Sequence, residues 1–197
     1  MVSVGDREMD LETALGRLSP WLHDLHDIVQ HGFSRYRGYP ADILTEHDSR
    51  ARAACVFCHM WSEAERRFAD GARSAAAIVR VRGLSLVGFG DTALVRFKKM
   101  DDDGNTRNYP TPQAEAFDAQ EEIEGLPPAA VRLSVGYLAN PTFTAIERVI
   151  LSKPNGESAE WSAAIDPAAT PAFVDITREP RFGSEYWRTG RRARGSE

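Results

Sequence analysis

The chain has 197 residues, of which 42% are hydrophobic and 27% are charged, and its formal net charge is −5. This length predicts one domain, or one domain with an appendage, whose core needs neither disulfides nor a structural metal. The composition excludes the collagen-like, wholly disordered and membrane-spanning classes. The start of the chain is acidic and has no apolar run, which argues against a secretory signal, so we expect a cytoplasmic location.

Charge is spread unevenly along the chain. Residues 1–70 and 110–177 are acidic, whereas residues 71–109 hold seven basic and four acidic side chains and residues 178–197 hold six and three. The acidic total argues against a protein that coats nucleic acid broadly, but it leaves room for one local basic face. The alternation also suits contact with a protein that carries charge patches of its own.

The first seventy residues predict a helical layer. Leucines spaced three and four apart indicate a short helix over residues 9–18, and Ser19-Pro20 has the chemistry of a new helix start. Glycine, tyrosine and proline over residues 32–40 predict a break. A long helix is expected from about residue 45 to residue 68.

Hydrophobic residues alternate with polar ones after residue 71, which is the period of a half-buried antiparallel sheet. Between the third and fourth predicted strands, Thr111-Pro112 predicts an inserted helix that runs to about Glu124. The strands are predicted near residues 79–82, 84–89, 93–98, 131–137, 143–151 and 159–165.

The predicted fold class is therefore α+β, with a helical N-terminal layer packed on an antiparallel sheet and one inserted helix. Residues 1–70 form the helical layer and residues 71–166 form the sheet, and together they make one domain. Proline, alanine, glycine and arginine accumulate over residues 167–197, which predicts a loosely ordered tail.

Two neighbouring strands are predicted to carry basic side chains on one face of the sheet. Such like charges repel each other unless water, acids of the same chain or an acidic partner surround them. We predict that they bind acidic groups of a protein partner. A solvated face neutralised by acids of the inserted helix, or a nucleic-acid contact, are the alternatives. The predicted partner-binding residues are Arg80, Arg82, Arg96 and Lys98, with Lys99 and Arg107 extending the patch around the turn.

Several motifs match cofactor sites only in part. Cys55 to His59 fits the C-x-x-C-H pattern of haem attachment, but that chemistry needs export, and these residues continue a helix. His23 and His26 share a helical face without the third and fourth ligands that zinc requires. The turn at residues 101–105 begins like a calcium loop and then departs from it. The sequence therefore predicts no metal and no cofactor.

Arg52 and His59 form the one catalytic alternative. Their spacing resembles the R-x(4–6)-H pattern of HEPN ribonucleases, in which arginine holds an RNA phosphate and histidine transfers a proton. The residue after the arginine is Ala53, where that family usually has a polar side chain. A HEPN-like ribonuclease toxin is therefore an alternative function.

Several short segments between residues 84 and 165 carry a resemblance to a known family. They are residues 94–101, Arg107-Asn108, Thr111, Gln113, residues 125–127, residues 133–137 and Trp161. These segments resemble a family of small uncharacterised bacterial proteins. The resemblance implies that a neighbouring gene encodes a regulator, which joins a helix-turn-helix to an ImmA/IrrE-type zinc peptidase. It hence implies that this chain and the regulator form a toxin–antitoxin, stress or phage-defence pair. It assigns no catalytic residue. The chain has no H-E-x-x-H motif, so any peptidase is the partner.

We therefore expect a non-enzymatic interaction protein that acts as half of such a pair and binds the helix-turn-helix/zinc-peptidase regulator. Nucleic acid is a less favoured partner, and a membrane is not expected as one. A small-ligand-binding module is the remaining alternative. It predicts a pocket between the helices and the sheet, lined by Trp61, Phe68 and Tyr137.

Overall fold

The computed structural model describes residues 9–69, 75–106, 111–169 and 172–177, and it confirms the α+β class. The helices are α1 (Leu11–Leu18), α2 (Leu22–Arg37), α3 (Ala41–Glu46), α4 (Ser49–Phe68) and α5 (Pro112–Asp118), with a 3-10 turn at Ser19–Trp21. The strands are β1 (Ala76–Val81), β2 (Leu84–Phe89), β3 (Ala93–Lys99), β4 (Val131–Ala139), β5 (Ile146–Asn155), β6 (Ser158–Ile165) and β7 (Phe173–Asp175).

The seven strands form one mostly antiparallel sheet in chain order, from β1 at one edge to β7 at the other. The exception is the pair β3 and β4, which run parallel. Parallel neighbours cannot be joined by a hairpin and need a long crossover connection. Residues 100–130 supply that connection and carry α5 across the face of the sheet. β3 and β4 therefore run in the same direction, and their C-terminal ends lie side by side.

Helices α1, α2 and α4 cover one face of the sheet. α2 and α4 lie close together at Gly32, where a Cβ would stand 2.8 Å from the backbone nitrogen of Met60. The break predicted over residues 32–40 is therefore too early, because α2 continues through Gly32 as far as Arg37. Apolar side chains of both helices join the sheet in one buried core.

The long helix predicted from about residue 45 to residue 68 is α4, which begins only at Ser49, because residues 45 and 46 belong to the separate helix α3. α3 ends at Glu46, and α4 follows Asp48, whose side chain accepts a hydrogen bond of 2.7 Å from the amide of Ala51. This cap satisfies one of the unpaired amides at the start of α4. With 20 residues α4 is the longest described helix. Among all the described residues, no helix combines the length and the apolar character of a membrane span.

The second face of the sheet is covered by α5 and the loops around it. α5 begins after Thr111, whose hydroxyl accepts a hydrogen bond from the amide of Ala114, and it ends at Asp118, before the predicted Glu124. The chain leaves the helix at Gln120, whose φ is 57° and whose side-chain amide binds the backbone of β4 and β5. A second apolar cluster packs here and contains Leu86, Leu94, Phe117, Ile123, Leu126 and Ala130.

The segment predicted as a tail contains one short strand. β7 pairs with β6, with Val174 opposite Ala164. This pairing extends the sheet beyond residue 166, where the predicted domain ended. Residues 178–197 lie outside the described part of the chain.

Candidate functional site

The cations predicted to share one face of the sheet lie on both faces. Arg80 follows Ile78 on the face that packs against the helices, and its guanidinium pairs with Glu65 of α4. Arg96 alternates with the helix-side residue Val95 and contacts α5 on the opposite face. The predicted ribbon of neighbouring cations is therefore wrong as a geometric arrangement.

Carboxylates of the same chain neutralise all three arginines of the predicted patch that the structure describes. Two of the three acids come from the segment around α5, which the sequence suggested as an internal source of neutralising charge. The pairs are Arg80 with Glu65, Arg82 with Glu124, and Arg96 with Asp118. The pairs of Arg80 and Arg82 are exposed and contribute little stability, but each lowers the charge that a partner meets.

Arg96 is enclosed by protein and has only 3% of its surface exposed. Its guanidinium carbon lies 4.4 Å from the centre of the Phe117 ring, and the guanidinium donates hydrogen bonds to Ser134 at 3.0 Å and Thr106 at 3.1 Å. Burial lowers the pKa of Arg96, and the charge of Asp118 opposes that effect. Arg96 therefore fastens α5 to the sheet and offers no surface to a partner.

The two lysines that follow have different surroundings. Lys98 is half-buried, and burial together with the charge of Arg96 lowers its pKa to about 8. Lys99 is exposed, and its ammonium nitrogen lies 5.4 Å from the centre of the Phe143 ring. Arg107 lies outside the described residues. Of the predicted partner-binding residues that the structure describes, Lys99 is the one exposed cation without a carboxylate partner.

Lys99 belongs to a group of aromatic and basic side chains where α2 ends and α4 begins. We call this group the aromatic–basic cluster. Its members are Tyr36, Tyr39, His47, Arg52, His59, Lys99, Tyr137 and Phe143. The parallel pairing of β3 with β4 sets Lys99 beside Tyr137. Helix pairing brings the α4 residues to the same end of the molecule.

Phe143 sits at the centre of the cluster in a strained conformation. Its φ is 57°, which is unusual for a bulky residue and costs about 1–3 kcal/mol. Asn140 holds the turn in place, because its backbone carbonyl accepts from the amide of Phe143 at 2.9 Å and its side chain accepts from the amides of Thr144 and Ala145. The turn aims the ring inward, where only 6% of the residue is exposed.

Two cations converge on the ring of Phe143. The guanidinium carbon of Arg52 lies 5.7 Å from the ring centre, and the ammonium of Lys99 lies 5.4 Å from it. These distances fit cation–π contacts. Arg52 also donates from Nε to the carbonyl of His47 at 2.9 Å. Among the described residues neither Arg52 nor Lys99 forms an ion pair, so their charges are available to an anion.

Two tyrosine hydroxyls lie within the same cluster. The hydroxyl of Tyr137 is fully buried and has no hydrogen-bond partner in the described part of the chain. Tyr36 makes a long hydrogen bond of 3.3 Å with Nδ1 of His47. Burial raises the pKa of both tyrosines, so both keep their protons. Buried hydroxyls normally have a partner, which makes Tyr137 an unsatisfied donor beside two unpaired cations.

The structure places both residues of the ribonuclease alternative in this cluster. Arg52 and His59 are seven residues apart on α4, which puts them on one face with a rise of about 10 Å between them. The hydroxyl of Tyr39 lies 2.9 Å from Nε2 of His59. Burial, reinforced by the charges of Arg35 and His31, lowers the pKa of His59, which is therefore neutral near pH 7.

The three residues predicted to line a ligand pocket are packed in the core. Trp61 lies over Phe57, and Tyr137 meets Phe33 at a centroid distance of 5.5 Å. Phe68 is 2% exposed. Two cavities of the described chain, one beside Gly104 and Ser152 and one between α2 and β5, have none of these three side chains in their linings.

The partial metal motifs do not assemble into a centre. His23 and His26 each lie beside the carboxylate of Asp27, at 3.3 and 3.6 Å. Cys55 and Cys58 are free thiols within α4. In the parts of the chain that the structure describes, no three histidine, cysteine, aspartate or glutamate side chains lie close enough to hold an ion.

Sequence reasoning missed the aromatic half of the site. Tyr36 and Tyr39 fall in a stretch that the sequence predicted as a break, His47 falls in the predicted long helix, and Phe143 was assigned to the start of a strand. The signal that was present is Asn140-Pro141, which predicts a turn. Nothing in the sequence indicates that this turn aims a phenylalanine at Arg52.

Comparison with models of protein families, with curated proteins and with solved structures finds no match to this chain.

Proposed function

We propose that the chain is a non-enzymatic cytoplasmic interaction protein, one half of a toxin–antitoxin, stress or phage-defence pair. The proposed partner is a helix-turn-helix/zinc-peptidase regulator, and the proposed docking site is the aromatic–basic cluster, which binds an acidic segment of that partner. One observation carries the proposal. Arg52 and Lys99 share the ring of Phe143 and have no carboxylate partner in the described chain.

The chemistry of the cluster suits a carboxylate from another protein. The ring beneath each cation holds it in place while leaving its other donors open. An arginine in this position can donate two parallel hydrogen bonds to one carboxylate. Tyrosine and arginine are also the residues most enriched among the energetically important positions of protein interfaces.

The predicted patch contributes less to this docking site than its sequence suggested. Arg80, Arg82 and Arg96 are neutralised within the chain, and Lys98 is half-buried. Lys99 remains a proposed contact with the partner, and Arg52 joins it from the helical layer. The proposed surface therefore spans both parts of the domain.

Co-purification with the partner tests the proposal. The chain is co-expressed with the regulator, and the amount of regulator retained is compared for the wild type and for R52E/K99E. Charge reversal replaces attraction by repulsion, and we expect retention to fall at least about tenfold. The single variant K99E, which changes only an exposed side chain, is expected to show a smaller loss.

The matched control is R17E/R82E, which reverses two exposed arginines that do not belong to the cluster. We expect it to retain the regulator as the wild type does. Equal losses in both double variants would attribute the effect to net charge and overturn the proposed site. Unchanged retention by R52E/K99E would overturn it as well.

A second candidate function rests on the neutral His59 beside Tyr39 and on Arg52 along the same helix face. In this alternative Arg52 holds an RNA phosphate and His59 accepts a proton as general base. It predicts growth arrest when the chain is expressed alone, and loss of that arrest in His59→Ala. The interaction protein instead predicts that His59→Ala, which leaves both cations in place, retains the regulator.

A further inference from the structure

Two further arginines lie beside the aromatic–basic cluster, in the last turn of α2. Arg35 and Arg37 are both exposed, and within the described chain neither forms an ion pair. Cations at the C-terminus of a helix offset its dipole, which favours arginine there even without a partner. Whether the two arginines also serve the cluster depends on what lies next to each of them.

Arg35 lies near His59, and Arg37 lies near Tyr36. Burial is the main reason that the pKa of His59 falls, and the charge of Arg35 is the next. Burial raises the pKa of Tyr36, and the charges of Arg52 and Arg37 oppose that rise. Such effects fade beyond about 10 Å in salt solution, so each arginine is close to a member of the cluster.

The unpaired cations are spread along the cluster. α4 separates Arg52 from His59 by about 10 Å along its axis, and Arg35 stands at the His59 end. Arg52 and Lys99 stand at the other end, over the ring of Phe143. One carboxylate cannot reach both ends. An extended peptide advances about 3.3 Å per residue, so several acids within a short stretch match this spacing.

The acids between α2 and α4 leave these charges in place. Asp42, Glu46 and Asp48 form no ion pair with any cation of the described chain. The carboxylate of Asp48 is occupied as the cap of α4, where it accepts from the amide of Ala51. The positive charge of the cluster is therefore open to acids of another molecule.

The aromatic rings of the cluster favour a peptide over a nucleic acid. Single-stranded nucleic acid binds by stacking its bases on exposed rings. Phe143 and Tyr36 are 6% and 1% exposed, and Tyr39 is half-buried against His59, so these rings offer little face to a base. The net charge of −5 also opposes the approach of a long polyanion.

We propose that the acidic segment of the partner is a run of acidic side chains that binds along the cluster from Arg35 to Lys99. This inference rests on the proposed function. It specifies the chemistry of the partner's segment and adds Arg35 and Arg37 to the docking surface. Each cation then meets a carboxylate, whereas a segment with one acid engages only one end of the cluster.

Titration of the full chain with a capped, labelled hexaglutamate peptide, followed by fluorescence anisotropy at low salt, tests the proposal. We expect saturable binding by the wild type. R35Q/R37Q should bind about five- to tenfold more weakly, because two exposed ion pairs are lost. The control R17Q/R82Q changes the net charge by the same amount and should bind as the wild type does. Absence of saturation at millimolar peptide, wild-type affinity of R35Q/R37Q or an equal loss in the control would each overturn the proposal.

Two other probes test the chemistry of the run. A capped peptide of one glutamate and five glutamines should bind at least about tenfold more weakly than hexaglutamate. Equal binding would show that one acid suffices, which contradicts the proposed run. Hexauridylate RNA should also bind more weakly than hexaglutamate, and a tighter complex with the RNA would assign the surface to nucleic acid instead.

Retention of the regulator separates this inference from the proposed function. R35Q/R37Q is expected to retain less regulator than the wild type. Full retention by R35Q/R37Q together with loss by R52E/K99E would keep the proposed docking site and remove the run of acids. Hexaglutamate binding that depends on Arg35 and Arg37, without retention of the regulator by the wild type, would keep the acid-binding surface and overturn the proposed partner.

Discussion

Lys98 and Glu63 show how partners decide the consequence of burying a charge. Glu63 on α4 is 4% exposed, and it accepts hydrogen bonds from Arg66 at 2.9 Å and Arg67 at 2.7 Å. The bond from Arg66 is the main reason that its pKa falls to about 2. Among the described residues Lys98 has no hydrogen-bonded carboxylate, and burial lowers its pKa to about 8. Glu63 therefore stabilises the fold in its charged form, whereas Lys98 destabilises it.

Glu63→Gln is expected to lower the free energy of unfolding at pH 7 by about 2 kcal/mol, because the charged hydrogen bonds are lost. The folded pKa of Glu63 lies below the ordinary 4.5, so its contribution is complete above pH 4.5 and disappears as the pH falls toward 2. Urea unfolding at pH 7 and at pH 3 measures the difference. A gap between wild type and variant that stays equal at both values would contradict this prediction.

Lys98→Met is expected to raise the free energy of unfolding at pH 7 by about 1–2 kcal/mol, since methionine keeps the volume and removes the buried charge. The folded pKa of Lys98 lies below the ordinary 10.5. The destabilisation of the fold by its charge is therefore complete below pH 8 and vanishes as the pH rises toward 10.5. The gain should therefore shrink at pH 10. Lys99→Met is the matched control, and an equal gain there would contradict the explanation.

At the scale of elements, the contact between α2 and α4 depends on one missing side chain. Gly32 lies against the backbone of Met60, where a Cβ has no room. Gly16 lies within α1, and a Cβ there would meet no atom within 4 Å. The two glycines therefore have opposite effects on stability when each is replaced by alanine.

Gly32→Ala is expected to lower the free energy of unfolding by about 1–3 kcal/mol, because the two helices must move apart. Gly16→Ala should raise it by about 0.5–1 kcal/mol through better helix propensity. Thermal and urea unfolding of both variants measure these changes. Stability that changes equally in the two variants would show that propensity alone governs both positions.

The same contact explains where helix boundaries could be predicted from sequence and where they could not. The Thr111 cap follows from local chemistry and was predicted at the right residue. The helix start predicted at Ser19-Pro20 is a 3-10 turn, in which the Ser19 hydroxyl donates to the carbonyl of Gly16 and caps no helix, and α2 begins at Leu22. Gly32 looks like a helix breaker when only its neighbours in sequence are considered. Its role is a tertiary contact with α4, which no local pattern contains.

Six of the seven described strands were located from their apolar runs and alternation, although the central strands are buried on both faces of the sheet. Pairing was harder to predict, because alternation does not record the direction of a neighbour. The parallel pair of β3 and β4 follows from the crossover through α5. That crossover also turned Arg96 toward Asp118 and removed it from the predicted patch.

At the scale of the whole molecule, the sequence predicted the class and the layers but only part of the candidate site. Lys99, Arg52 and His59 were singled out from their residue types and spacing. Their meeting with Tyr137 and Phe143 depends on the order of the strands and on a strained turn. Such a site is a property of the assembled fold, because its members come from both layers.

The central claim is that Arg52 and Lys99 together bind an acidic segment of a protein partner. The affinity of the purified chain for the proposed partner, a helix-turn-helix/zinc-peptidase regulator, tests it most directly when it is measured by calorimetry. We predict that R52E/K99E binds at least about 100-fold more weakly, a change of about 2.7 kcal/mol, while R17E/R82E binds as the wild type does. An R52E/K99E chain that unfolds at the wild-type temperature and binds with wild-type affinity would contradict the account.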